Sequence, residues 1–308
     1  MTPRHISTKT QSNWHRGFLG TGHRAKAVLE DVSYQDSDPF ILFMDDSLDL
    51  PGGEPVGGAH PHAGFETLTL VLEGNDREWA TGSFELMTAG KGIIHTEEIT
   101  SKQKLHILQV WLVLPPDKRH AQPFFQRILL EEVPKIKTDA YEIRVYSGES
   151  NRLTSPLKNH TPFTLVDYRL GKNATVRQHI PLHYNGLVYV LQGTVRAGDQ
   201  TIHAGQAGWL GKETEPGEGE IGFEGLEDST HFVLFAGQPH HFPVVQHGPF
   251  VADSMEDIAQ MYRDFRQGKF PHLNYLPADQ RITYVSEANW EIDGLVDFPK
   301  PGKGHSKV

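Results

Sequence analysis

The chain has 308 residues, enough for about two domains, and 37% of them are hydrophobic, which suffices for ordinary buried cores. Its 29 Lys and Arg against 39 Asp and Glu give a net charge of -10, which argues against direct binding of nucleic acid. There is no cysteine, so disulfides, thiolate metal sites and cysteine nucleophiles are ruled out.

The opening MTPRHISTKTQSNWH has no apolar run of the kind a secretory signal needs. The longest apolar stretches, such as 107–114, are too short to span a bilayer, so a soluble, cytoplasmic protein is expected. Strand-like runs follow at 39–44, 66–72, 105–114, 141–146, 163–170, 186–191 and 231–236, each rich in Val, Leu, Ile or Phe and bounded by Gly, Pro, Asp or Asn. One helix is predicted near the end. Ser254 caps it with Asp257 three residues on, Ile258, Met261, Tyr262 and Phe265 form its apolar stripe, and Gly268 stops it.

The strand pattern repeats. Pro39-Phe40 is echoed by Pro162-Phe163, Leu72-Glu73-Gly74 by Leu191-Gln192-Gly193, and Ala89-Gly90 by Ala204-Gly205, in the same order. The fold class expected is all-β: two tandem barrels, at 1–130 and 150–250, then the short helix and a C-terminal extension over 251–308.

Chemistry concentrates in GGEPVGGAHPHAGFETLTLVLEG and MTAGKGIIHTEE. His60 and His62 lie two apart, so on an extended chain both rings face one side. His95 and Glu97 repeat that spacing. Two such pairs inside one barrel place three imidazoles and a carboxylate around a point, a set that suits Fe, Mn, Ni, Cu or Zn without choosing among them. Glu66 shares the parity of His60 and His62, so it competes with Glu97 as the carboxylate.

HPHAGFET together with MTAGKGIIHTE resembles the signature of the pirin family. The likeness extends through DPFILF, LHILQVWLVLP, VYSGE and GQPHHFPVVQHGPFVADSMEDI, about residues 30 to 270. It implies a bicupin, a tandem pair of cupin barrels, with one iron held in the N-terminal barrel by His60, His62, His95 and Glu97. It thereby favours Glu97 as ligand and leaves Glu66 as a supporting carboxylate. Two features depart from the family pattern. NDREWATGSFEL is shorter than the usual hairpin, and the segment from His272 to Val308 reads as a loosely attached extension.

In the second copy, the Leu-Gln-Gly echo puts His179 and Pro181 where His60 and His62 stand, and the Ala-Gly echo puts Leu210 and Lys212 at the places of His95 and Glu97. A lysine there would repel a cation, so a barrel without metal is expected. His183, His231 and the His240-His241 pair are scattered, and His247 suits a packing or hydrogen-bonding role.

The resemblance implies two functions. One is an iron-dependent dioxygenase that cleaves quercetin or a related small aromatic, with Glu97 or Glu66 as base and Phe65 packing on the flat substrate. The alternative is a non-enzymatic iron-binding regulator that contacts a protein partner, a transcription factor or a metabolic enzyme.

Overall fold

A computed structural model describes residues 1–53, 55–74, 79–99, 102–213 and 216–285. Residues 75–78 of the short hairpin and 286–308 of the extension lie outside the described residues. The architecture is mostly β, with two cupin domains and a C-terminal helix.

The compact units interleave along the chain. One comprises 1–13, 27–41 and 133–241; the other comprises 14–26, 42–132 and 242–308. The contiguous boundaries read from the sequence therefore differ from these units at both ends. The cause lies in strand pairing. Thr2–Pro3 runs parallel to Glu218–Gly225, and Ile6–Gln11 pairs antiparallel with Gln206–Leu210. Arg4, only 3% exposed, secures this arm by donating to the carbonyls of Pro181, Leu182, Tyr184 and Gly211. A guanidinium can meet several carbonyls from one point because its five N–H groups fan out in a plane.

In the 133–241 unit, seven strands run in the order Lys135–Lys137, Tyr141–Ser147, Phe163–Leu170, Thr230–Gly237, Asn185–Gln192, Gln206–Leu210, Ile6–Gln11. A second sheet carries Thr175–Pro181 on Glu218–Gly225. Alternation along Thr175–Pro181 buries Val176, Gln178 and Ile180 and exposes Thr175, Arg177 and His179. The interior is filled by Val166, Val188, Val195, Ile221 and the rings of Tyr168, Phe223 and Phe232. Tyr168 stacks on Phe232 at 4.9 Å.

The other unit has an eight-stranded sheet in which Phe65–Glu73 lies between Phe84–Thr88 and Gln103–Val113. Asn185–Gln192 has the matching neighbours, Gln206–Leu210 and Thr230–Gly237. That equivalence corrects one echo. Ala89-Gly90 follows its strand, whereas Ala204-Gly205 precedes the corresponding one. Leu210 and Lys212 thus do not stand where His95 and Glu97 stand, and the Lys212 ammonium binds the Asp36 carboxylate at 2.6 Å.

The helix forms at Met255–Arg266, with the Ser254 hydroxyl accepting from the Asp257 N–H. Ile258 and Met261 are buried with Ala63, Phe250, Ala252 and Phe270, and Tyr262 and Phe265 pack against the same cluster. The chain beyond it is not loose up to residue 285. Arg281–Tyr284 pairs in parallel with Phe124–Ile128, and Leu276 is 4% exposed. Among the described residues, no helix is long and apolar enough to cross a membrane.

Candidate metal centre

His60–His62 and Ile93–His95 form a two-stranded antiparallel ribbon in which His60 faces His95 and His62 faces Ile93. The i, i+2 spacing within each strand sends His60, His62 and His95 to one side. The ring centroids lie 4.4 to 5.0 Å apart, and one nitrogen from each ring falls within 4.8 Å of the others. His60 Nδ1 donates to the Gly58 carbonyl at 2.8 Å, which leaves Nε2 with its lone pair directed at the centre. His60 Nε2 and His95 Nε2 are 2.9 Å apart. Two nitrogens bound about 2.1 Å from one ion at right angles would be separated by about 3 Å.

Glu97 lies beside the group. Its Oε2 lies 3.7 Å from His60 Nε2 and 4.0 Å from His95 Nε2. Gly57 makes this possible, because its φ is +78° and a Cβ there would collide with the Glu97 carbonyl oxygen. The Glu97 N–H in turn donates to the Gly57 carbonyl.

Two of the three imidazoles are buried. Burial, joined by the neighbouring His60, pushes the His62 pKa down to about 3, and the Pro249 carbonyl opposes this without reaching hydrogen-bond geometry. His95 is also held well below the ordinary range, first by burial and then by His62, His60 and His272. Neither ring nitrogen of His62 has a hydrogen-bond partner. A buried imidazole with two unsatisfied nitrogens is costly, and a cation at the centre would satisfy one of them. The residues present therefore fit a divalent metal ion.

Glu66 lies elsewhere. Phe65 stacks on Trp111 at 4.3 Å, and both rings approach His62, at 5.2 and 5.3 Å. Trp111 is the cross-strand partner of Thr67, so the odd-numbered face of this strand is the one toward the histidines. Glu66 is on the other face, opposite Leu112 and Thr88, and accepts from the Thr88 hydroxyl at 2.7 Å. Parity does not carry from His62 to Glu66, because Gly64, at φ +88°, breaks the extended chain between His62 and Phe65. The strand register thus sets Glu66 on the face opposite Phe65 and Thr67.

Sequence reasoning missed Trp111 and His272. Trp111 sits in a run that reads as continuous core, and His272 lies in the segment taken for a loose extension. The dispersed histidines meet other partners. His179 pairs with Glu220 on the exposed face of its strand, His231 with Asp167, and His247 with the Tyr262 hydroxyl. Gln178, facing inward beside His179, binds the hydroxyls of Tyr168 and Ser150.

Family models agree with the division into two domains. A pirin model matches residues 22–112, and a model of the pirin C-terminal cupin domain matches residues 165–271. Human pirin is 34% identical, covering 81% of this chain and 89% of its own. A crystal structure of quercetin 2,3-dioxygenase from Acinetobacter baumannii is 26% identical with a TM-score of 0.74, covering 87% of this chain and 99% of that one. The bacterial pirin YhhW from Escherichia coli, in complex with nickel(II), shares the fold at 20% identity and a TM-score of 0.53, over 74% of this chain and 95% of that one.

Proposed function

The chain belongs to the pirin family, and from that premise we propose that it is a metal-dependent dioxygenase acting on quercetin or another flat phenol. In this reading His60, His62, His95 and Glu97 hold one divalent ion, iron first, with Mn, Ni, Cu or Zn as substitutes. The observation that carries it is the convergence of three imidazoles beside the stacked Phe65 and Trp111 rings. The likeness to a quercetin 2,3-dioxygenase supports the substrate class.

A divalent ion in such a set supplies Lewis acidity toward a hydroxyl–carbonyl pair. The chain's own residues do the rest. His62 and His95 stay neutral because they are buried, which keeps their lone pairs available. In this reading Glu97, a quarter of whose side chain is exposed, takes the phenolic proton, which requires its carboxylate to leave the ion in part. Phe65 and Trp111 offer an apolar wall beside His62 against which a planar ring system can lie.

The test mixes iron-loaded protein with quercetin under anaerobic conditions and then admits oxygen. Decay of the flavonol absorbance with matching oxygen uptake is expected, slowed by about 100-fold or more in Glu97→Gln. No decay beyond that of free iron would contradict the catalytic reading and favour a regulatory metalloprotein.

A further inference from the structure

His272 lies outside the residues that either family model matches, yet it abuts the metal-binding ribbon. The Ile94 N–H donates to the Pro271 carbonyl at 2.9 Å, and Ile94 and His272 form a parallel bridge. The Ile93–His95 strand, already paired with His60–His62 on one edge, is thereby covered on the other. Leu273 and Leu276 pack onto Met87, Ala89, Ile93 and Phe125, and Ile93 faces His62 across the ribbon.

The His272 ring uses both nitrogens. Nδ1 accepts from the Asn274 N–H at 3.2 Å, so Nε2 carries the proton and donates to the Thr96 hydroxyl at 3.0 Å. Thr96 is the residue between His95 and Glu97. Both ring nitrogens being engaged, His272 is not a ligand. Its hydrogen bond fixes the backbone turn from which one imidazole and one carboxylate leave in the same direction.

We propose that residues 271–284 form a strap that preorganises the metal centre, with His272 as a positioning residue acting on His95 and Glu97 through Thr96. This rests on the reading of the centre as a metal site. Groups that orient ligands are worth roughly 10–100-fold in metal affinity, and His272 acts one bond further out, so the lower end applies.

The test is a Co²⁺ titration of the full chain, read by affinity and by the positions of the visible d–d bands. His272→Ala is expected to weaken binding about tenfold and to shift the bands. His272→Gln should restore part of both, because its amide can donate to Thr96 and accept from Asn274. Thr96→Val should match His272→Ala, and the double variant should be no weaker than either single one. Leu276→Ala, which loosens the strap while leaving the Thr96 bond in place, should weaken binding by less than His272→Ala. Unchanged affinity and bands in His272→Ala, or an additive double variant, would overturn the positioning role. If the parent chain takes up no cobalt, the metal reading itself fails, which is a different result.

Discussion

Without a bound cation, His62 is a buried imidazole that must stay neutral in the folded chain. Its folded pKa of about 3 lies below the unfolded value of 6.5. Between those values the unfolded chain takes up a proton that the folded chain refuses, so the contribution is fully present above pH 6.5 and is lost as pH falls toward 3. Its size is on the order of 5 kcal/mol. Urea unfolding of chelator-treated protein between pH 7.5 and 4.5 should show this decline, and His62→Gln should flatten it; an equally steep slope in the variant would assign the decline to other groups. At the same scale, Glu66→Gln should leave bound metal unchanged while Glu97→Gln lowers it, because Glu97 lies beside the His60 and His95 nitrogens whereas Glu66 is bound to Thr88. Elemental analysis separates them, and metal loss in Glu66→Gln would contradict the placement. His60 and His62 were legible because they lie on one extended strand, where i, i+2 means one face. Glu66 was not, since one left-handed glycine reset the parity ahead of it.

Strands and helix were legible for similar local reasons. The seven runs of β-branched, aromatic and leucine residues all became strands, and the serine cap and glycine stop framed the helix within a residue or two. The Ala-Gly echo misled because that dipeptide serves as a turn on either side of a strand. Two elements carry predictions. Gly64 turns the chain where a Cβ would strike the Val251 carbonyl oxygen. Gly64→Ala should cost on the order of 3 kcal/mol in thermal or chemical unfolding, and should also lower metal uptake, since His62 is two residues away. Arg4→Ala strips the charged donor from four carbonyls. It should destabilise the protein by on the order of 3 kcal/mol while leaving Co²⁺ affinity as in the parent. A loss of affinity equal to that of His95→Ala would show that the arm matters to the metal centre.

Across the whole molecule, both barrels use the same strand order, but their interiors have diverged. Where one gathers His60, His62 and His95, the corresponding strands of the other turn Gln178, Ile180 and Ile221 inward. Gln178 is spent on the Tyr168 and Ser150 hydroxyls. That divergence was readable in outline as a missing second HxH pair. The interleaving of the units was not, because pairing between Ile6–Gln11 and Gln206–Leu210 leaves no mark on the local pattern of either strand. Everything proposed here rests on a single metal centre in the barrel that holds the three histidines. Its most direct test is elemental analysis of the purified chain after loading with Fe²⁺ or Co²⁺ and removal of loosely held ions. One equivalent per chain is expected, falling to near zero in His95→Ala. Two equivalents in the parent, or one retained in the variant, would contradict it.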